Sequence, residues 1–318
     1  MVRHLLTLND LTDKELLEIL DFADEIKGNP KQYATAMKDQ TLLMIFAKPS
    51  LRTRLSFEVG MTQMDGHGIY YDLSNSPMGK KESIADTART AARYVDIVMA
   101  RLFGHEDIEE YAKYSKVPVI NALTNFAHPC QIIADLQTIR EKKGGKQKKL
   151  KGIKLAYCGD GNNNVTHSLI EGCTKVGMDI SVACPKGTEF EPQAKVIEIG
   201  GKSAERNKCK LVITNEPHEA VKDADVIYTD SWMSYHVPKE KEAGRMTMFK
   251  SYQVNSELMK HAKKDAIFMN CLPAMRGYEQ TVDVIDGPQS VVFDQAENRL
   301  HAQKAIMLFL LGRMGAKG

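Results

Sequence analysis

Short apolar runs bounded by polar residues alternate along this chain with longer segments whose apolar positions recur every three or four residues. Thr41-Leu42-Leu43-Met44-Ile45-Phe46 is such a run and predicts a buried parallel strand. Behind it Phe57, Met61 and Met64 fall at helical spacing until Asp65-Gly66 ends the helix. Ile69 to Tyr71, Val95 to Ala100 and Val117 to Ile120 supply further strands of this half, with helices over Glu82 to Tyr94, Asp107 to Tyr114 and Pro129 to Lys142. A second series follows at Ile153 to Tyr157, Ile180 to Ala183, Leu211 to Ile213, Val226 to Tyr228 and Ala266 to Met269. Strands alternating with helices in two such series predict an α/β protein with two doubly wound parallel sheets. Upstream, Thr12-Asp13-Lys14-Glu15 forms a capping box for a helix with an apolar stripe of Leu16, Leu17, Leu20, Ala23 and Ile26, ended by Gly28-Asn29-Pro30.

Composition agrees with this picture and narrows the function. A length of 318 residues suits two domains rather than one core. The net charge of +2 offers no basis for binding nucleic acid or an anionic membrane. With neither a membrane-length apolar run nor an apolar leader at the N-terminus, the expected location is the cytoplasm. The six cysteines are scattered, without a Cys-x-x-Cys pair, and the nine histidines form no His-x-x-x-His pair, so reduced thiols and neither metal nor redox cofactor are expected. The basic run Lys142 to Lys149 has no interleaved aromatic residue and reads as a solvated loop near the domain boundary rather than a nucleic-acid patch.

The candidate chemistry sits at strand ends. Between the Thr41 to Phe46 strand and its helix lie Lys48-Pro49-Ser50-Leu51-Arg52-Thr53-Arg54, two hydroxyls and two guanidinium groups beside a helix N-terminus. Unpaired backbone N–H groups and the positive end of the helix dipole favour an anion there, and a phosphate suits it. Arg101 follows the third strand of this half, at the end where open α/β sheets bind ligands. His128 precedes Pro129, the predicted first residue of a helix, with Gln131 in its first turn. Gly159-Asp160-Gly161-Asn162-Asn163-Asn164 is a poor dinucleotide loop, because Asn164 stands where a third glycine is required. Asp230, Ser231, the single tryptophan Trp232 and Ser234 end one strand of the second half, and Asn270-Cys271-Leu272-Pro273 ends another.

Several of these segments, in order, resemble the signatures of the aspartate and ornithine carbamoyltransferase family. Residues 46–58 are similar to its Phe-x-Lys-x-Ser-Thr-Arg-Thr-Arg-x-Ser-Phe-Glu string, with Leu51 in place of a Thr, and residues 128–131 match His-Pro-x-Gln. Residues 159–164 resemble its Gly-Asp-x-x-Asn-Asn segment, and residues 295–299 its Glu-Ala-Glu-Asn-Arg. Asp230 and Ser234 match its Asp-x-Trp-x-Ser-Met-Gly, but Tyr235-His236 replaces Met-Gly, and Asn270 replaces the His of His-Cys-Leu-Pro.

The resemblance implies a donor domain over residues 1–146 joined by a C-terminal helix, 296–318, that crosses back to it, and an acceptor domain over 147–295. It implies carbamoyl transfer from carbamoyl phosphate to the side-chain amine of ornithine, giving citrulline and phosphate without a cofactor. Carbamoyl phosphate then falls to Ser50, Leu51 (through its backbone), Arg52, Thr53, Arg101, His128, Gln131, Cys271, Leu272 and Arg299. The acceptor falls to Asn164, Asp230, Ser234 and Tyr235, and the catalytic roles to Arg101, His128, Asp230 and Cys271. Family members are homotrimers with sites at subunit boundaries, and the loop Asp72 to Lys81 is the candidate to reach a neighbour, Pro77 being given no role. Putrescine is the alternative acceptor, because Tyr235-His236 alters the pocket; Asp230 would repel an aspartate. A non-catalytic ligand-binding relative is the alternative from another class.

Overall fold

A computed structural model of the chain describes residues 2–76, 78–79, 81–233 and 237–316. Pro77 and Lys80 of the candidate subunit loop, and Ser234, Tyr235 and His236, lie outside the described residues. The chain forms two compact units, Met1–Gln137 with Glu297–Gly318, and Thr138–Ala296.

In chain order the first unit holds α1 (Asp13–Gly28), β1 (Thr41–Phe46), α2 (Leu51–Thr62), β2 (His67–Asp72), α3 (Ile84–Ala91), β3 (Ile97–Arg101), α4 (His105–Tyr114) and β4 (Val119–Leu123). It also holds the first turns of α5 (Pro129–Lys143). The second holds β5 (Lys154–Cys158), α6 (Asn164–Lys175), β6 (Asp179–Ala183), α7 (Ala194–Asn207), β7 (Leu211–Thr214), α8 (Pro217–Val221) and β8 (Val226–Tyr228). After these come α9 (Glu242–Phe249), α10 (Ser256–Met259), β9 (Ile267–Met269) and α11 (Val282–Ile285), and α12 (Val292–Leu310) runs from the second unit into the first.

Every strand pair is parallel, so both sheets are the doubly wound kind that the apolar runs predict. The first sheet has the order β2-β1-β3-β4 and the second β7-β6-β5-β8-β9. Each order reverses direction once, at β1/β3 in the first sheet and at β5/β8 in the second. A crevice opens at the carboxyl ends of the strands where the winding reverses, and ligands of open α/β sheets bind there. Apolar side chains pack against these sheets, among them Ile45, Val98, Ala100, Ile108, Tyr111 and Val119 in the first unit. Ala156, Cys158, Ile227, Phe249 and Phe268 do the same in the second.

The Thr12 capping box forms as predicted: Glu15 N donates to Thr12 Oγ1 at 3.2 Å, and Glu15 Oε2 accepts from Thr12 N at 2.9 Å. The apolar stripe of α1 needs one correction. Leu17 is 41% exposed, and Ile19 and Phe22 are buried with Leu16, Leu20, Ala23 and Ile26. A residue adjacent to Leu16 points about 100° away from it on a helix, whereas positions three and four apart share a face. The basic run is a second correction, because it is not wholly solvated. Lys142 and Lys143 close α5, where Lys142 Nζ meets Asp294 at 2.7 Å and the buried Lys143 meets Asp265 at 2.6 Å.

Candidate active site

In the first unit the predicted donor residues gather at the β1/β3 switch point. Ser50 is the N-cap of α2, with Thr53 N donating to its Oγ at 3.4 Å and the two hydroxyl oxygens 3.1 Å apart. Leu51 begins the helix with its side chain 70% exposed, so its backbone N–H is the part it can offer an anion. Arg101 ends β3 opposite Phe46. The pairing of β3 with β4 shifts register between Ala100 and Arg101, an irregularity that re-aims a side chain. Arg54 instead turns to Glu58 at 2.8 Å and lies over the Tyr70 ring, consistent with a structural charge.

Arg299 reaches the same cluster from α12. Its Nη1 donates to Gln131 Oε1 at 2.6 Å and its Nη2 to Thr53 Oγ1 at 3.4 Å. With its amide oriented to satisfy both neighbours, Gln303 accepts from Arg299 Nη2 at 2.8 Å and Nε at 3.0 Å, and donates to Ser56. His128 is buried at the entry to α5, and burial pushes its basicity well below the ordinary imidazole value, aided by Arg299, Arg101 and Arg52. Its ring is therefore neutral at physiological pH. Burial, and then Arg101, also lowers the Lys48 ammonium. So much positive charge in a partly dry pocket calls for an anion.

The second unit places Asn164 and Asp230 at the β5/β8 switch point and Cys271 and Leu272 just beyond the end of β9. Asn163 caps α6, with Thr166 N donating to its Oδ1 at 2.8 Å, and its Nδ2 donates to Tyr157 Oη at 2.9 Å; this anchors Asn164 as the first residue of that helix. Asp230 follows β8, and Cys271 Sγ donates to its Oδ1 at 3.2 Å, pairing a thiol with a carboxylate. Asn270 holds the next loop through neutral bonds. Its Oδ1 accepts from Leu272 N at 2.8 Å and its Nδ2 donates to Gln280 Oε1 at 3.1 Å. Leu272 has a φ of +55°, a conformation uncommon for a branched residue, and this pinned amide helps to maintain it.

The sequence reading assigns no role to three buried polar groups of the second unit, Arg245, Asp160 and Glu279. Arg245 of α9 pairs with Asp160, and its Nε donates to the carbonyl of Trp232 at 2.8 Å. Burial pushes the Asp160 carboxyl up to about 6 against the pull of Arg245. Glu279 accepts from Met275 N at 3.1 Å, and its carboxyl is raised to about 7, first by burial and also by Asp230. Arg245 lies 85 positions from Asp160, and no local pattern marks Arg245 or Glu279. Among the described residues no cluster of His, Cys, Asp and Glu suits a metal ion. No described helix is long and apolar enough to cross a membrane.

Two parallel sheets, one presenting an anion cradle and the other a carboxylate–thiol pair, define a two-unit α/β enzyme architecture for a phosphorylated substrate. Residues 3–141 match the family model of the aspartate/ornithine carbamoyltransferase carbamoyl-P binding domain, and residues 151–310 that of the Asp/Orn binding domain. The chain belongs to the aspartate/ornithine carbamoyltransferase family. Within it, the chain is 50% identical over 316 residues to the ornithine carbamoyltransferase of Caldicellulosiruptor saccharolyticus, covering 98% of this chain and 100% of that one. The solved ornithine carbamoyltransferase of Pyrococcus furiosus superposes with a TM-score of 0.92 at 50% identity, over 98% of this chain and 97% of that one. The ornithine transcarbamoylase of Giardia lamblia gives a TM-score of 0.90 at 42% identity, over 98% of each chain.

Proposed function

We propose that this protein transfers the carbamoyl group of carbamoyl phosphate to the side-chain amine of L-ornithine, releasing L-citrulline and phosphate. The reading rests on the cradle of Ser50, Thr53 and Arg299 around the N-terminus of α2, in a chain 50% identical over its length to a relative named ornithine carbamoyltransferase. Residues 1–146 with 296–318 serve the donor and 147–295 the acceptor. Ser50, Arg52, Thr53 and the Leu51 N–H hold the phosphate; bonds to its charged oxygens are stronger than neutral ones and ready it to leave. Arg101 and His128 donate to the carbonyl oxygen, where negative charge grows as the tetrahedral intermediate forms. One such preorganised donor contributes about 3 kcal/mol. Gln131 and Arg299 orient the carbamoyl group.

The acceptor amine has an intrinsic pKa of about 10.4 and arrives protonated. Asp230 and Cys271, bonded to each other, hold it and assist its deprotonation, while Asn164, Ser234 and Tyr235 take the amino-acid end. The freed lone pair attacks the carbamoyl carbon, the bond from that carbon to the phosphate oxygen breaks, and its electron pair leaves with phosphate. The activated donor supplies the driving force, so the steps call on no cofactor. The reading takes the working form to be a homotrimer in the cytoplasm; the exposed row Leu51, Leu55 and Val59 along α2 is an apolar strip that contact with another subunit would cover. Incubation with carbamoyl phosphate and L-ornithine, with EDTA present, should yield citrulline and phosphate in equal amounts; phosphate without citrulline would contradict the assignment. Light scattering should give the mass of three chains, and an active monomer would remove the trimer.

A further inference from the structure

Gln131 lies in the first turn of α5, and Asp135 lies one turn further along the same face. Both are buried, as is Arg299. Gln131 Nε2 donates to Asp135 Oδ1 at 2.8 Å, and Arg299 Nη1 donates to Gln131 Oε1 at 2.6 Å. A glutamine amide is nearly symmetric in shape but opposite in hydrogen bonding at its two ends, whereas a carboxylate only accepts and a guanidinium only donates. The relay from Asp135 through Gln131 to Arg299 therefore runs in one sense. Arg299 is held from the other side by Gln303, so Gln131 and not the guanidinium is the member that Asp135 restrains.

We infer that Asp135 is a positioning residue that sets the hydrogen-bond polarity of the donor site: by holding Gln131 Nε2, it keeps Gln131 Oε1 available to accept from the amino group of a bound carbamoyl. A carbonyl oxygen has two lone pairs, so Oε1 serves Arg299 and the carbamoyl nitrogen together. Without Asp135 the amide keeps only its bond to Arg299, so Oε1 can follow the guanidinium and is no longer fixed toward the carbamoyl nitrogen. The consequence is selectivity. Acetyl phosphate carries the same phosphate and carbonyl but a methyl in place of the amino group, and Gln131 Oε1 has nothing to accept from it. The inference rests on carbamoyl phosphate being the donor, as proposed above.

Asp135→Leu tests this, with Asp135→Asn, whose amide oxygen still accepts from Gln131, as the control that retains the wild-type preference; carbamoyl phosphate is the substrate, and acetyl phosphate and inorganic phosphate are competing inhibitors. The expected result is a fall of about tenfold in kcat/KM for carbamoyl phosphate, as for one lost hydrogen bond of average strength. Both inhibition constants stay unchanged, so the preference over acetyl phosphate shrinks by the same factor. In a Gln131→Leu background the Asp135→Leu change should add nothing; an additive loss, an equal loss for all three ligands, or an unchanged preference in Asp135→Leu overturns the inference. Should Asp135→Leu fail to fold, the side-chain amide protons of Gln131 in the unaltered protein are read by NMR. Slow exchange with solvent supports the Asp135 bond, and exchange at the rate of a free amide overturns it. This second reading does not depend on turnover, so failure of wild-type citrulline formation would count against the function and not against the relay.

Discussion

Arg245→Met should unmask a buried charge. Arg245 and Asp160 have side chains only 5% and 2% exposed, and the guanidinium also lies over the Phe190 and Phe249 rings and donates to Trp232 O. Methionine fills much of the same volume but leaves Asp160 without its cation. Removing one partner of such a pair costs about 3–5 kcal/mol. The cost must depend on pH. Asp160 is already raised to about 6 with Arg245 in place, and without it the carboxyl rises further. A carboxyl whose folded pKa exceeds its unfolded value of about 3.9 costs the fold stability as pH rises from the unfolded value through the folded one. The wild-type loss levels off above pH 6 and the variant's continues, so the penalty should shrink by up to about 1.4 kcal/mol between pH 7 and pH 5. Urea unfolding is followed through Trp232, the single tryptophan, whose ring stacks on Phe249 with centroids 5.8 Å apart. Adding Asp160→Asn to Arg245→Met should restore at least about 2 kcal/mol at pH 8, since an uncharged amide needs no counter-ion. A penalty that is constant from pH 5 to 8, with additive single changes, would refute the reasoning.

His128→Asn should lower kcat about a hundredfold, the scale for one donor to a developing oxyanion, with a much smaller change in the KM for carbamoyl phosphate. Because burial and three arginines hold His128 well below its ordinary value, the wild-type rate should show no limb near pH 6.5 that this substitution removes. Glu279 is raised to about 7, so it costs the fold stability as pH climbs from its unfolded value of about 4.3 through 7. Glu279→Gln should therefore lose less stability than wild type between pH 5 and pH 8 in urea titrations, and a parallel pH dependence would contradict this.

Where local structure depends on adjacent residues, the sequence is a good guide. The β1–α2 turn is legible because a strand-length apolar run, an N-cap serine and two arginines stand within the fourteen positions from Thr41 to Arg54, and their placement at a strand end makes an anion site the expectation. His128 was legible through Pro129, which marks the helix start beside it. Asp135 was not, because a polar residue one turn into a helix carries no sign of its partner until burial is known. Arg245 and Asp160, 85 positions apart, meet only through the winding of the second sheet, and α9 carries no motif. Leu17 failed for a simpler reason: at the edge of an apolar stripe, hydropathy does not say which neighbour faces inward. Asn270 departed from the family pattern in sequence, and the structure supplies its work, a neutral clamp on Leu272 N and Gln280.

The central claim is that this cradle and carboxylate–thiol pair serve carbamoyl transfer to an amino acid. It is tested most directly by measuring ureido product and phosphate with L-ornithine and with putrescine as separate acceptors. The account predicts a kcat/KM at least about tenfold higher for ornithine, or about 1.4 kcal/mol of transition-state preference. A preference for putrescine would contradict the assignment of Asn164, Asp230, Ser234 and Tyr235 as readers of the amino acid, while leaving the donor site intact.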